Sequence, residues 1–168
     1  MADLVGVLAR WRVRLGFLTG IIALWLARPT VSSLAIGGLV AVIGEALRFW
    51  AAGHLEKGRE VTTSGPYGLV RHPLYLGSAI IAIGTAITGA TLGGAVVVLS
   101  YLAITVFAAI RTEEAWLRAR FGDEYDAYVK SRAPSCVRAF SFARAMANRE
   151  YRAVAGLVVV AVLLALKL

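Results

Sequence analysis

Two short polar runs in this chain combine side chains able to bind a small charged molecule and to move a proton on it. Arg71-His72-Pro73-Leu74-Tyr75 offers a guanidinium, an imidazole and a phenol, and Arg111-Thr112-Glu113-Glu114 offers a second guanidinium beside two adjacent carboxylates. Carboxylates and aromatic rings suit a cationic ligand, arginines suit a carboxylate or phosphate, and histidine is the usual proton acceptor near neutral pH. The plainer reading is that boundary residues of this kind snorkel or pair as Arg–Glu. Glu45 and Arg48 form a third candidate at i, i+3 spacing, either a self-neutralising pair or a wall of the same site.

The two runs are separated by Leu74 to Ile110, 37 residues without Asp, Glu, Lys, Arg or His. As one helix that stretch would extend roughly 55 Å, against a hydrocarbon core of about 30 Å, so it is too long for one membrane span and suits two. Small residues and glycines at Thr88-Gly89-Ala90-Thr91-Leu92-Gly93-Gly94 suit the turn between them. A hairpin of that kind brings Arg71-His72 and Glu113-Glu114 to the same membrane face.

The rest of the chain fits that hairpin. It is 59% hydrophobic with mean hydropathy +0.73, well above a soluble domain. The pattern predicts an all-α, multi-span transmembrane bundle of about five spans, near residues 13–27, 31–52, 74–88, 92–110 and 153–167. Polar segments 53–73 and 111–152 then face the cytoplasm and form the site. Within the second, Leu117, Phe121, Tyr125 and Val129 lie on one helical stripe, Gly122 interrupts it, and Asp123 can start a short helix ending near Pro134. Gly37-Gly38, Gly77 and Gly84 suit close helix packing, within one chain or between two.

The net charge of +8 follows the same topology: 15 of the 18 basic residues fall on one face, which the positive-inside rule makes cytoplasmic. Basicity here argues for membrane lipids as partners and against nucleic acid. The lone Cys136 excludes an intramolecular disulfide, and two histidines, His54 and His72, exclude a His-rich metal site. Nothing at the N-terminus reads as a cleaved signal peptide. No G-x-G-x-x-G run follows a strand, which excludes a Rossmann-type cofactor site.

Thr63-Ser64-Gly65-Pro66-Tyr67, Val70-Arg71-His72-Pro73-Leu74-Tyr75-Leu76-Gly77, Arg111-Thr112-Glu113-Glu114 and Phe121-Gly122-Asp123-Glu124-Tyr125 with Tyr128 occur in this order at the span ends. In that arrangement the chain, from about Gly53 to Pro134, resembles the isoprenylcysteine carboxyl methyltransferase and phospholipid methyltransferase superfamily. The resemblance implies S-adenosyl-L-methionine as cofactor, held by His72, Pro73, Tyr75, Glu113, Glu114 and the backbone around Gly65, Pro66 and Tyr67. It implies catalytic roles for Arg71, Arg111 and Glu114, with the arginines orienting the acceptor or the cofactor's carboxylate. It also implies a lipid-like or prenyl-type acceptor entering from the bilayer of a bacterial inner membrane, with the N-terminus and site facing the cytoplasm. Two flanking arginines favour carboxyl O-methylation; phospholipid amine N-methylation is the alternative, with His72 as local base. A nicotinamide-dependent sterol-type reductase and a non-catalytic membrane bundle are the readings of other classes.

Overall fold

A computed structural model describes residues 2–130 and 138–168, so Pro134 and Cys136 lie outside the described residues. Among those described there are seven α-helices, one 3₁₀ turn and no strand. In chain order they are α1 (Ala2–Leu26), α2 (Val31–His54), the 3₁₀ turn (Gly65–Gly68), α3 (Pro73–Gly89), α4 (Leu92–Phe121), α5 (Asp123–Val129), α6 (Phe142–Ala147) and α7 (Tyr151–Ala165). By length and composition α2 and α4 are long and apolar enough to cross a membrane. Arg14–Leu26 of α1, α3 and α7 are shorter apolar helices.

Local chemistry sets the boundaries. Arg28-Pro29 ends α1, and Thr30 starts α2 with a reciprocal cap in which its side chain accepts from the Ser33 N–H. Pro73 sits in the first turn of α3, where its missing N–H leaves no bond unmade. Ala90, in the left-handed region at φ 52°, and Thr91, whose hydroxyl accepts from the Gly94 N–H, are the whole connection between α3 and α4. The hairpin expected from the uncharged run is therefore present, and it returns Glu113 to the level of His72.

Three boundaries differ from expectation. α4 does not stop near residue 110 but continues to Phe121, because Arg111 to Phe121 contains only helix-tolerant residues and no Gly or Pro until Gly122. At 30 residues α4 is about 45 Å long, so one end must project beyond an apolar layer of about 30 Å. α1 begins at Ala2, not near Val13, and α7 begins at Tyr151.

α2 and α3 form the tightest seam. A Cβ on Gly44 would fall 2.7 Å from the Gly77 carbonyl, and one on Gly84 2.6 Å from the Gly37 carbonyl. Gly37, Gly77 and Gly84 are thus consumed within the chain, whereas Gly38 faces open space.

The C-terminal part closes the end of α2. The last carbonyls of a helix have no intrahelical partner. Here Ala52 O accepts from Asn148, Gly53 O from the Ser141 N–H and Arg144, and His54 O from Arg138. At the opposite end Lys167 donates to the carbonyls of Leu24 and Ala27, tying the C-terminus to α1.

Candidate active site

The α3/α4 hairpin, the 3₁₀ turn and α5 enclose a cleft of ≈ 630 Å³, within the size range of small-molecule sites. Of the residues singled out in the sequence, Tyr67, Arg71, His72, Pro73, Tyr75 and Glu113 line it. Thr105, Ala108 and Ala109, from the apolar part of α4, form a further stretch of wall. The cleft therefore joins a polar rim to an apolar wall.

Helical geometry separates the two adjacent carboxylates. Successive residues point about 100° apart, and of the two only Glu113 lines the cleft. Glu113 lines it, while Glu114 turns to His72, with Oε1 3.2 Å from Nε2. Arg71 and Arg118 approach the same carboxylate at 3.8 and 3.4 Å. Arg111, two residues before Glu113 and thus roughly on the opposite side of the helix, does not line the cleft; its guanidinium sits 5.1 Å over the Phe107 ring.

Gly65 and Pro66 also stand outside the cleft, in the turn packed over the end of α2. Gly65 has φ +57°, and a Cβ there would meet the His54 ring at 2.6 Å, so both conformation and space require glycine. Pro66 is fully buried, and Ser64 holds the turn to His54 through a 3.1 Å contact with Nδ1. Tyr67 lines the cleft while its carbonyl accepts the Tyr128 hydroxyl at 2.8 Å, which fastens the turn to α5.

Electrostatics follow from burial and neighbours. Desolvation alone would raise the Glu114 carboxyl, but the His72 hydrogen bond and the charges of Arg118 and Arg71 outweigh it and hold it below the ordinary carboxylate value. Burial raises the Tyr67 phenol strongly, with Glu113 adding to the effect. Tyr128 is pushed up to about 12, first by burial and then by Tyr125. Tyr125, its ring fully buried under Arg118, is raised by burial and by Glu114. These phenols stay protonated donors at neutral pH, and the buried Tyr125 hydroxyl has no hydrogen-bond partner among the described residues.

Sequence reasoning gave no site role to several cleft residues. Trp116 stands three positions after Glu113 and shares its helix face, a signal present in the spacing. Tyr125 and Tyr128 stand in the quoted motif, but their placement depends on the turn at Gly122. Arg48, which the sequence offered as half of a pair with Glu45 or as a wall of the site, lines the cleft while its Nε pairs with Glu150 at 2.7 Å and its Nη1 donates to Ser78 at 2.5 Å. Glu56 and Glu60 reach it too, paired with Arg144 at 2.9 Å and Arg138 at 2.7 Å.

An all-helical fold with polar groups gathered in one cleft at the end of an apolar hairpin defines a membrane-associated small-molecule site. Residues 11–124, well over half of the chain, match the phospholipid methyltransferase family, and the chain belongs to that family. The family is described as one of phospholipid methyltransferases. The nickel-cobalt-cadmium resistance protein NccN of Alcaligenes xylosoxydans xylosoxydans is 31% identical over 110 residues, covering 63% of this chain and 49% of that protein. The cobalt-zinc-cadmium resistance protein CzcN of Cupriavidus metallidurans is 30% identical over 99 residues, covering 58% of this chain and 44% of that protein. The match thus spans about half the length of these relatives or less. No solved structure matches significantly. Among the described residues no group of three or more His, Cys, Asp or Glu could hold a metal ion.

Proposed function

We propose that the protein is an S-adenosyl-L-methionine-dependent methyltransferase whose acceptor is the amine headgroup of a membrane lipid. The observation that carries the amine is the division of the charged residues. His72 stands on the cleft wall with Glu113, while Arg111, one of the two arginines that would favour a carboxylate acceptor, is turned away. An ammonium acceptor must lose a proton before it can take a methyl group, and His72 is the proton acceptor at hand.

The cleft fits the cofactor. A buried tyrosine hydroxyl without a partner among the described residues, the Glu113 carboxylate and several aromatic rings around ≈ 630 Å³ suit a sulfonium, an amino-acid headgroup and ribose hydroxyls. Glu113 would hold the ammonium or hydroxyls, Arg71 the carboxylate, and Tyr67, Tyr75 and Trp116 the cationic and adenine faces. The cofactor supplies an electrophilic methyl group on positively charged sulfur. The protein's part is to align donor and acceptor and to exclude water.

The acceptor's apolar chains enter along Thr105, Ala108 and Ala109. In this reading α1, α2, α3, α4 and α7 cross a bacterial inner membrane, with the N-terminus, the cleft and most basic residues on the cytoplasmic side. Carboxyl O-methylation, as in the isoprenylcysteine enzymes, is the second reading, favoured by Arg71 at the cleft.

The test is methyl transfer from radiolabelled S-adenosylmethionine by protein in nanodiscs, with phosphatidylethanolamine or a prenylcysteine as acceptor. Label in the phospholipid, absent with His72→Gln, supports amine methylation. Label only in the prenylcysteine replaces it with the carboxyl reading, and label in neither, by protein that fails to bind the cofactor, overturns both.

A further inference from the structure

The two adjacent carboxylates at the end of α4 face different partners, and Glu114 is the one whose surroundings are complete within the protein. Its Oε1 meets His72 Nε2 at 3.2 Å, and Arg71 and Arg118 approach from other directions at 3.8 and 3.4 Å. It does not line the cleft, whereas His72 and Glu113 do. Its side chain is 17% exposed, and three cationic or donor groups occupy it.

We propose that Glu114 is a positioning residue that acts through His72. It accepts from Nε2–H, fixes the ring in that tautomer, and leaves the Nδ1 lone pair to the cleft, so that it does not hold the cofactor. The inference rests on the amine-methyltransferase reading for its catalytic consequence but not for its geometry.

Three physical points support it. A neutral imidazole carries one N–H, and a carboxylate is acceptor-only, so a contact of 3.2 Å between them assigns the proton to Nε2. Among the described residues Nδ1 has no protein hydrogen bond, so it is the ring nitrogen available to a ligand. A carboxylate held by two guanidiniums is also fixed in place, and a fixed acceptor orients the ring as second partners orient histidines elsewhere. The other charged and titratable neighbours are Glu113 on α4, Tyr75 on α3, whose ring lies 5.8 Å from the imidazole, and Tyr125 on α5 beneath Arg118.

In the reaction, Nδ1 takes a proton from the acceptor's ammonium. The freed nitrogen lone pair then forms the N–C bond to the donor methyl as the C–S bond breaks. The bonding pair remains on sulfur, leaving a neutral thioether, a methylated ammonium that keeps the positive charge and an imidazolium that returns its proton to solvent. Loss of the fixed tautomer would remove much of a general-base contribution of about 10²–10⁴-fold.

The chain has two histidines, so ¹⁵N-histidine labelling of the full protein in micelles gives two imidazoles, and His72→Gln assigns them. At a pH where the rings are neutral, the wild type is expected to show His72 as the Nε2–H tautomer. Glu114→Leu is expected to mix the tautomers and slow amine methylation by about 100-fold, with S-adenosylmethionine affinity kept within about twofold. Glu114→Gln keeps an acceptor oxygen and is expected to restore most of the tautomer and part of the rate.

An Nδ1–H tautomer in the wild type would overturn the proposal, and that result needs no variant to fold. So would an unmoved tautomer together with a tenfold or larger loss of cofactor affinity in the Gln variant, which would make Glu114 a cofactor ligand. A wild type with the expected tautomer but no methyl transfer would sink the amine reading while leaving the positioning role in place.

Discussion

Two Arg–Glu clusters stand near the same end of the bundle and have opposite characters. Around Arg48, one guanidinium is shared by Glu150 at 2.7 Å and Glu45 at 3.7 Å, with Ser78 and Leu74 O completing its contacts across α2, α3 and the start of α7. Around Glu114, one carboxylate is shared by Arg71, Arg118 and His72. The first cluster has excess acid and is buried; in the second Arg118 also pairs with Asp126 at 3.7 Å, and both arginines are about half exposed. Buried charges without water must be consumed by each other, so the Arg48 cluster is a clamp between helices. The Glu114 cluster is balanced within itself and open to solvent on its arginine side, which lets one member, the imidazole, face a ligand. The same residue types therefore bolt helices in one place and serve a cleft in the other, and burial decides which.

The largest effect that sharpens this contrast is on Arg48. Arg48→Ala would leave Glu45 and Glu150 buried beside each other without a cation, and removing one partner of a buried pair costs about 3–5 kcal/mol. Denaturant titration in mixed micelles should show a loss of that order, and Arg48→Met with Glu150→Met should recover part of it. Arg48 also lines the cleft. If Arg48→Ala kept full stability but lost cofactor binding, the contrast would break and Arg48 would belong with the site.

Glu113→Gln comes next. A charge-assisted hydrogen bond contributes about 1.5–3 kcal/mol, so losing the cleft carboxylate should weaken S-adenosylmethionine binding by roughly 10- to 150-fold in calorimetry. The fold should not change, since no protein ion pair involves Glu113 among the described residues. The same change at Glu114 should leave affinity within about twofold, given that its partners lie in the protein. Equal losses at both positions would erase the distinction between the two carboxylates.

How much of this was legible beforehand depends on the range of the signal. The uncharged run from Leu74 to Ile110 was enough to place His72 opposite Glu113, because hairpin closure needs only length and a turn, and Ala90-Thr91 supplies it. The motif residues from Arg71 to Tyr75 line the cleft, and the next one, Leu76, is exposed. What the sequence did not yield was rotation. Continuing α4 past Ile110 sets Arg111, Glu113 and Glu114 on three sides of one helix, so residues that look like a cluster in the chain are divided among Phe107, the cleft and His72. Nor did it yield the long-range partners. Asn148 on Ala52 O, and Glu150 on Arg48, join positions about a hundred residues apart with no periodicity to announce them. The glycine choice between self-packing and association was likewise settled by contacts, with Gly37 and Gly84 meeting across α2 and α3.

Tyr125 tests the cleft from its buried side. Its hydroxyl is buried and without a partner among the described residues, and an unsatisfied buried polar group is a cost until a ligand meets it. Tyr125→Phe should therefore leave the empty protein as stable as before or slightly more so, while ligand affinity or turnover falls about 2- to 10-fold. A variant that is clearly destabilised without ligand would show the hydroxyl to be structural and place Tyr125 with the clamp.

The smallest effect separates Tyr128 from Tyr125. Its hydroxyl donates to Tyr67 O at 2.8 Å, which is a protein bond, so Tyr128→Phe should cost about 0.5–1.5 kcal/mol at neutral pH whether or not ligand is present. The pH dependence follows from the direction of its shift. Burial raises the folded phenol from the ordinary 10.0 to about 12, so the folded state favours the protonated form. Its contribution is complete below pH 10, declines as the unfolded phenol ionises, and is gone once the pH passes about 12. Tyr67 and Tyr125 are raised as well and would lose stability in both proteins, so the difference between wild type and Tyr128→Phe isolates this one group. Stability curves that converge between pH 10 and 12 would identify Tyr128 as the fastening of the turn to α5. Curves that stay parallel through that interval would mean the phenol is not held protonated by the fold, and the turn carrying Tyr67 would need another anchor.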